Sequence, residues 1–490
     1  MGLLNTGIKG MAWTTVSVVV RSVVSLLQIT ILTRFLEKSE FGIVAIATVF
    51  IGFTQLFLDL GISVGIMHKQ DTTPKEYSSL FWLNIFTGTL LTLILCLISP
   101  LVAHAYKEPS LTSVLILLSL GVFFSALGAQ HRTVQQKEMR FQYISIVEII
   151  TSVLTFGVAV YTAWKGYGVY SLVYSTLFNA VFSNLVFLGI GLYKDRNISF
   201  HFNIRDTYPF LKIGVYNIGS NVLDYFSREI DTIIISATLG METLGVYNLC
   251  KKIVIMLYGI VNQILVKVMT PIFAKLQKSV DVMRNALYNV MEGIALFNFP
   301  IYFLVAILST GVLYFLYGSQ YTDSCILLSL LAVYYGKLSA GSASGCVQVA
   351  MGRTDVGLYW TFVRIAVNTL AVWVGSRISI EAIVICLFLF NLLVSPLSWR
   401  ILIKPLVGGR FWDYFWISFK PFCITLLLAL PFYNLWGSST QIGWMIICGV
   451  CFLLVYGGMV WLFFRQSFFV QSLFLPVVNG AKNYLCKIIK

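Results

Sequence analysis

The chain has 490 residues, of which 58% are hydrophobic and only 11% are charged. This composition excludes an ordinary soluble enzyme and indicates an integral membrane protein. The net charge of +14 fits anionic lipid, nucleic acid or an anionic substrate as partner, so the distribution of charge along the chain must decide between them.

Apolar blocks of about 20 residues, separated by short polar loops, predict transmembrane helices. The chain lacks the alternating ten-residue segments of a membrane barrel. We therefore predict an all-α polytopic membrane protein with about fourteen transmembrane helices. The predicted spans lie near residues 11–33, 42–66, 79–103, 111–131, 143–164, 169–192, 210–239, 244–270, 288–316, 323–350, 356–375, 379–402, 412–434 and 442–464.

The loops between these spans show a strong charge asymmetry. If the N-terminus is cytoplasmic, the cytoplasmic segments hold twenty Lys and Arg residues, and the opposite segments hold five. This bias predicts that both termini are cytoplasmic, and it explains most of the net charge without nucleic acid. The five residues on the opposite side are Arg34, Lys38, Lys107, Lys165 and Arg377.

The loops are too short for a soluble catalytic domain, and the sequence lacks a phosphate-binding loop, so we do not expect direct ATP drive. The nine cysteines are scattered. The C-x-x-C of Cys448 and Cys451 lies in an apolar run with no second ligand pair beside it, so we expect no metal and no cofactor.

The seventh span is unusual because residues 216–239 are apolar yet contain four charges, Asp224, Arg228, Glu229 and Asp231. Inserting these four charged side chains at a bilayer centre would cost about 10 kcal/mol of free energy. This cost exceeds the favourable insertion free energy of the apolar residues in the span. The helix is therefore expected to face a polar cavity, other charges, or both.

Three sequence matches in the same order indicate an internal duplication. Gly42, in FLEKSEFGIVAI, aligns with Gly245, in LGMETLGVYNL, at an offset of 203. The pentapeptide ILLSL at 116–120 recurs at 326–330, and LFNAV at 177–181 aligns with LFNLL at 389–393. A repeat of six spans predicts two parallel-related six-helix lobes, with two C-terminal helices left over. The predicted divisions are an N-lobe at 1–204, a C-lobe at 205–405, and the last two spans with a cytoplasmic tail at 406–490.

The duplication also aligns polar stripes on spans 1 and 7. Both stripes have polar residues three or four positions apart, which is one helix face, and the offset of 203 superimposes them. The simplest geometry has both helices lining one central cavity. The stripes are Thr14, Ser17, Arg21, Ser25 and Gln28 in span 1 and Asn217, Ser220, Asp224, Arg228 and Asp231 in span 7.

Intramembrane cations predict an anionic ligand. One Arg guanidinium can bind two oxygens of a phosphate group, and Lys supplies a positive charge on a flexible side chain. A structural alternative is that Asp224 and Arg228 form an ion pair on one helix and that the lysines extend to a water layer. Glu148, Glu292 and Lys337 are further intramembrane charges that we weigh less heavily. The candidate substrate-binding residues are Arg21, Arg228, Lys251, Lys252 and Arg364, and the candidates for ion coupling or charge balance are Asp224, Glu229 and Asp231.

Four segments carry a resemblance to a known family: LTRFLEKSEFGIVAI after span 1, VQQKEMRF at 134–141, LGVYNLCKKI at 244–253 and MTPIFAKLQ at 269–277. Over nearly its whole length the chain resembles polysaccharide transporters of the multidrug, oligosaccharidyl-lipid and polysaccharide (MOP) flippase superfamily. It is most similar to the branch of colanic acid exporters, teichuronic acid exporters and Wzx-type flippases. The resemblance implies two lobes around a cationic cavity in a bacterial inner membrane, and a groove for the prenyl tail at spans 13 and 14, which could equally cover a lobe.

The resemblance implies a flippase that carries a polyprenyl-diphosphate-linked oligosaccharide to the periplasmic leaflet by alternating access. Its expected partners are this lipid-linked oligosaccharide and membrane lipids, with H⁺ or Na⁺ as a candidate coupling ion and a polysaccharide polymerase as a candidate neighbour. One alternative is a drug and cation antiporter of the same superfamily, which would need a cavity dominated by carboxylates. Another is a membrane glycosyltransferase or polysaccharide polymerase, which would need carboxylate pairs near a membrane surface or a large external loop.

Overall fold

The computed structural model of the chain describes residues 2–59, 61–69, 72–195, 200–277, 279–437, 439–465, 467 and 470–471. Every regular element among these residues is a helix, which confirms the predicted all-α class. The chain forms two compact units, Met1–Asn248 and Leu249–Lys490. The predicted divisions at residues 204 and 405 stay predictions, and the tail at 472–490 lies outside the described residues.

The first unit contains eight complete helices and the beginning of a ninth. A π-helical turn, Gly191–Asp195, follows the seventh helix. The helices are α1 (Gly2–Leu32), α2 (Lys38–Leu58), α3 (Ile62–His68), α4 (Pro74–Ala105), α5 (Ser110–Lys137), α6 (Phe141–Trp164), α7 (Tyr170–Ile190), α8 (Ile204–Thr238) and α9 (Gly240–Leu276), which continues into the second unit.

Local sequence explains where several of these helices begin and end. At the start of α4, Thr73 accepts a hydrogen bond from the Glu76 backbone N–H at 3.3 Å, and the Glu76 carboxylate accepts one from Thr73 N–H at 2.8 Å. This reciprocal cap satisfies donors that would otherwise have no partner. The span predicted at 42–66 is divided into α2 and α3, because Gly61 adopts a φ of 70°, which costs glycine little.

Helix α8, the predicted seventh span, packs against α2, α3 and α4 of the first unit. The Tyr225 hydroxyl donates to the Val49 carbonyl oxygen at 2.8 Å, and the rings of Phe53 and Phe226 lie 5.3 Å apart. Phe210, near the start of α8, is fully buried in a cluster that includes Ile62. One side of the charged helix is thus covered by apolar and aromatic packing.

The second unit is organised around α10. Phe303 of α10 packs edge-on against Phe422 of α18, with ring centroids 5.6 Å apart, and the Tyr456 hydroxyl of α19 donates to the Leu296 carbonyl oxygen at 2.9 Å. The last two predicted spans, α18 and α19, therefore pack on α10. The remaining helices are α10 (Val280–Ile307), α11 (Ser309–Tyr317), α12 (Cys325–Ala340), α13 (Ala343–Ala350), α14 (Thr354–Gly375), α15 (Ile380–Leu393), α16 (Ser395–Ser398), α17 (Lys404–Val407), α18 (Phe411–Trp436) and α19 (Ile442–Phe464), with a 3₁₀ turn at Ser319–Ser324 and a π-helical turn at Trp399–Ile403.

Within the described part of the chain, eleven helices are long and apolar enough to cross a membrane. A twelfth is formed by Ile380–Leu393 and Ser395–Val407, bent by 49°, if this pair is one span. Helices α8 and α9 have 35 and 37 residues, enough to cross a bilayer. Neither belongs to this set, and some side chains of both lie outside the described residues. The chain is thus a multi-pass membrane protein, and the count of fourteen spans stays a prediction.

Two of the repeated sequence motifs make equivalent contacts in the two units. Ser119, in the first ILLSL, lies 3.4 Å from Cys96 Sγ, and Ser329, in the second, donates to the Ala306 carbonyl oxygen at 2.8 Å. The LFN asparagines likewise donate to the helix before their own, to Thr155 Oγ1 at 3.2 Å in the first unit and to Asn368 Oδ1 at 3.3 Å in the second. These asparagines are Asn179 and Asn391. Such matching contacts support the duplication inferred from the sequence.

The glycines of the third motif face each other where α2 crosses the beginning of α9. A Cβ atom added to Gly42 would lie 1.9 Å from the Met241 carbonyl oxygen, and one added to Gly245 would lie 1.9 Å from the Lys38 carbonyl oxygen. The contact is reciprocal, because the offset of 203 relates Lys38 to Met241 and Gly42 to Gly245. Only glycine permits so close an approach of two helix backbones.

This crossing yields a stability prediction. Gly42→Ala places a methyl group against backbone that cannot move as a side chain can, so we expect a loss of about 1–3 kcal/mol in the free energy of unfolding. The matched control is Gly157→Ala, where no heavy atom lies within 4 Å of the added Cβ, and where the better helix former should stabilise. Thermal unfolding of the purified protein in detergent measures both. Equal melting temperatures for the two variants would contradict the close crossing.

Candidate functional site

The polar face of α1 contacts a carboxylate on α6. Ser17 Oγ donates to Glu148 Oε2 at 3.1 Å, and Arg21 Nη2 lies 3.4 Å from the same oxygen. Further along α1, Gln28 Nε2 donates to Ser175 Oγ of α7 at 3.4 Å. Part of the predicted cavity-lining stripe therefore joins α1 to its neighbours in the first unit.

Glu148 also binds a second guanidinium. Arg132 Nη2, from α5, donates to Glu148 Oε1. One carboxylate thus lies between two arginines, and three helices contribute to the contact. We call Ser17, Arg21, Arg132 and Glu148 the Glu148 cluster. Its carboxylate side chain is 13% exposed, whereas the Arg21 and Arg132 side chains are 41% and 45% exposed.

From the sequence, Glu148 carried less weight than most of the other intramembrane charges, and Arg132 was assigned to the cytoplasmic charges beyond the end of span 4. In the structure α5 continues to Lys137, so Arg132 lies inside the helix. Glu148 itself was the sequence feature that could have indicated these contacts, since a lone carboxylate in an apolar span requires a partner. The identity of that partner depends on which helices pack together, and hydropathy alone does not contain this information.

On α8, Arg228 Nη2 lies 3.2 Å from Asp224 Oδ2, and the two side chains are 65% and 43% exposed. This is the ion pair between residues four apart that the sequence offered as a structural alternative. An exposed pair of this kind contributes about 0.3–0.5 kcal/mol. Both side chains remain accessible to a ligand. The side chains of Asn217 and Ser220, the other members of this stripe, lie outside the described residues.

Asp231 differs from Asp224 because it is buried. The Tyr247 hydroxyl donates to Asp231 Oδ2 at 2.6 Å, and the Thr232 backbone N–H donates to Oδ1 at 2.8 Å. The Thr232 hydroxyl donates to Glu229 Oε2 at 3.2 Å. These bonds hold Asp231 between α8 and the beginning of α9, where its charge is stabilised within the protein.

The candidate cations of the second unit have different surroundings. Lys251 is buried and Lys252 is exposed. Consecutive side chains on a helix are about 100° apart, so these two lysines do not share a face. Arg364 is partly buried on α14. Lys337 donates from Nζ to Ser418 Oγ at 2.7 Å, which joins α12 to α18.

Lys420 interrupts the predicted span 412–434 but was not among the candidate residues. It is exposed on α18, and its Nζ lies 5.2 Å from the centre of the Phe464 ring of α19. A long side chain of this kind can carry its charge toward the membrane surface. Among the described residues, no group of three or more His, Cys, Asp or Glu side chains is placed to hold a metal ion.

The family described as "Polysaccharide biosynthesis protein" matches residues 31–326. This match covers more than half of the sequence, and the chain belongs to that family.

The chain is similar along most of its length to named relatives. It is 25% identical over 468 residues to the teichuronic acid biosynthesis protein TuaB of Bacillus subtilis (strain 168), covering 95% of this chain and 96% of the relative. It is 24% identical over 438 residues to the lipopolysaccharide biosynthesis protein WzxC of Escherichia coli (strain K12), covering 89% and 88%. The predicted family resemblance is thereby confirmed.

Solved structures define the fold class. The lipid II flippase MurJ in its inward closed conformation matches with a TM-score of 0.73 at 13% identity, covering 93% of this chain and 99% of that one. A mutant of the Vibrio cholerae MATE transporter VcmN matches with a TM-score of 0.56 at 14% identity, covering 84% and 98%. The chain therefore has the fold shared by MurJ and MATE transporters.

The surroundings of Asp231 lead to a prediction. Tyr247→Phe removes the hydroxyl that donates to a buried carboxylate, so we expect a loss of about 1.5–3 kcal/mol in the free energy of unfolding. The control is Tyr359→Phe, since Tyr359 is 66% exposed and loss of its hydroxyl should change stability little. Melting temperatures in detergent provide the measurement. If the two variants have the same melting temperature, the hydroxyl of Tyr247 does not stabilise Asp231.

Proposed function

We propose that the protein is a flippase that moves a polyprenyl-diphosphate-linked oligosaccharide across the bacterial inner membrane by alternating access. Family membership, the names of the relatives and the MurJ-like fold support transport in polysaccharide biosynthesis. They also favour a transporter over a glycosyltransferase or polymerase. The observation that carries the proposal is the accessibility of arginine side chains on apolar helices, in particular Arg21 and Arg228.

The proposed ligand group is the diphosphate, together with any acidic sugar. A guanidinium has five N–H donors in a planar fork, and two of them match two oxygens of a phosphate group. Placing an arginine in an apolar helix costs about 2.5–3.5 kcal/mol, and an anionic ligand offsets part of that cost by pairing with it. In this proposal the accessible Arg21 and Arg228 bind the anionic head group. Lys251, Lys252 and Arg364 stay substrate-binding candidates, but Lys251 is buried and does not share a face with Lys252.

The carboxylates have a different proposed role. Asp224 balances the charge of Arg228 when no ligand is present, because the two are already paired at 3.2 Å. Glu229 and Asp231 balance charge within the same helix or take part in coupling to H⁺ or Na⁺. The hydrogen bonds from Tyr247 and Thr232 favour a charge-balancing role for Asp231.

The finer architecture belongs to the same proposal. It comprises fourteen spans, two six-helix lobes related by duplication, two additional C-terminal helices, and cytoplasmic termini. The matching contacts of the repeated motifs support the duplication, and the twenty-to-five distribution of loop cations supports the orientation. We also propose that a polysaccharide polymerase receives the oligosaccharide unit after it has crossed the membrane.

A drug and cation antiporter is the second candidate, and the likeness to the MATE fold is the observation that favours it. A cation carrier requires carboxylates available to its substrate. In the described part of the first unit, however, the Glu148 carboxylate is shielded between two arginines and Asp231 is buried. Asp224 is accessible, but it is paired with the Arg228 guanidinium at 3.2 Å. The accessible guanidiniums therefore favour an anionic substrate.

The proposal predicts a defect in polysaccharide export. In a strain lacking the gene, Arg21→Ala and Arg228→Ala should each reduce surface polysaccharide about tenfold or more, because each removes a charge-assisted contact worth about 1.5–3 kcal/mol. The matched control is Arg377→Ala, which removes an arginine that lies over the Trp373 ring at 5.2 Å, outside the proposed site. Surface polysaccharide is quantified against protein abundance. Wild-type polysaccharide in both arginine variants, at equal abundance, would refute the cationic site.

A further inference from the structure

We propose that Glu148 is an internal counter-anion, which occupies Arg21 and Arg132 when no substrate is bound and is displaced by the substrate diphosphate. This inference rests on the proposed function and assigns the Glu148 cluster as a diphosphate subsite with a built-in competitor. It adds Arg132 and Glu148 to the residues that control binding. From the sequence, Arg132 was not a candidate, and Glu148 was weighed less heavily than most of the other intramembrane charges.

The geometry uses both oxygens of one carboxylate. Arg132 binds Glu148 Oε1, while Arg21 at 3.4 Å and Ser17 at 3.1 Å both reach Oε2. The three charged side chains come from α1, α5 and α6. An anion that binds here meets two guanidiniums on separate helices, and each of them can give two parallel N–H bonds to phosphate oxygens.

The exposure of the side chains in the Glu148 cluster favours the exchange of Glu148 for the substrate diphosphate. The two arginine side chains are more than 40% exposed, whereas the Glu148 side chain is 13% exposed. An approaching anion therefore encounters the cations before it encounters the carboxylate. Among the described residues, Arg21 Nε is buried and has no hydrogen-bond partner, so the resting contacts with Glu148 leave this guanidinium incompletely satisfied.

The charge balance also favours a phosphate ligand over the resting carboxylate. Two guanidiniums and one carboxylate leave a net charge of +1. A diphosphate carries more negative charge than a carboxylate and offers more acceptor oxygens, so it neutralises both arginines more completely. When the diphosphate leaves, Glu148 again balances part of the charge of the two adjacent arginines.

An internal competitor lowers the apparent affinity for the substrate. If the arginines are available in only a fraction of molecules, the observed Kd is the intrinsic Kd divided by that fraction. Neutralising Glu148 should therefore strengthen binding. A purely structural role, in which Glu148 only joins α1, α5 and α6, predicts the opposite, because losing the ion pairs would loosen the arginines and weaken binding.

The test is calorimetric titration of the purified full-length protein in detergent, with farnesyl diphosphate and inorganic diphosphate as separate probes. Glu148→Gln retains the side-chain shape and one acceptor oxygen but removes the charge. We expect it to bind farnesyl diphosphate about tenfold more tightly than the wild type, and we expect Arg132→Ala to bind about tenfold more weakly. Tightening with both probes assigns recognition to the diphosphate group, and tightening with farnesyl diphosphate alone assigns it to the lipid-linked form. Both results support the exchange.

Two further variants act as controls. Glu292→Gln neutralises another partly buried carboxylate, which accepts a hydrogen bond from Ser467 at 2.7 Å, and its affinity should equal that of the wild type. Glu148→Asp retains the charge but shortens the side chain, so it should release one guanidinium and tighten binding to an intermediate degree. This second variant tests the exchange even if Glu148→Gln does not fold.

The negative outcomes are distinct. If Arg21→Ala weakens binding but both Glu148 variants bind with wild-type affinity or more weakly, the exchange is wrong and the flippase proposal stands. If neither the wild type nor any Glu148 variant binds either probe, the exchange and the diphosphate site are both wrong.

Discussion

Charged side chains in apolar helices must find partners inside the protein, and this constraint determines much of the helix packing. Glu148 joins α6 to two arginines on α1 and α5, Asp231 joins α8 to Tyr247 of α9, and Lys337 joins α12 to Ser418 of α18. Lipid offers no hydrogen bonds that could replace these contacts. Each of them therefore specifies which helix must be the neighbour of another, as well as contributing energy.

Close backbone packing is the complementary constraint. The reciprocal contacts at Gly42 and Gly245 bring α2 against the beginning of α9 where any larger residue would clash. The same offset of 203 relates both sides of this contact, which is what the proposed duplication would produce. Polar contacts and glycine contacts act together: the first fix the partners, and the second set how near they approach.

Hydropathy was sufficient to predict the helical class and most of the helix positions. The apolar block at 442–464 corresponds to helix α19, Ile442–Phe464, and the block at 143–164 corresponds to helix α6, Phe141–Trp164. The break at Gly61 inside span 42–66 was missed, because apolar residues continue on both sides of it and only the backbone conformation reveals it. Spacing along one helix predicted the pair of Asp224 and Arg228, since residues four apart are neighbours on any helix.

The contacts of Arg21 could not be predicted in the same way. The repeat assigned it to a polar stripe, but the stripe has no property that selects Glu148, 127 positions away, as its partner. That selection follows from the packing of α1 on α6, which depends on the whole first unit. For the same reason, the charged group that joins several helices, the Glu148 cluster, differs from the pair that received most weight from the sequence, Asp224 and Arg228. The Asp224–Arg228 pair would form on an isolated helix, whereas the Glu148 cluster exists only when α1, α5 and α6 are assembled. In the proposed exchange, a ligand that binds the two arginines of the cluster is therefore coupled to the packing of three helices.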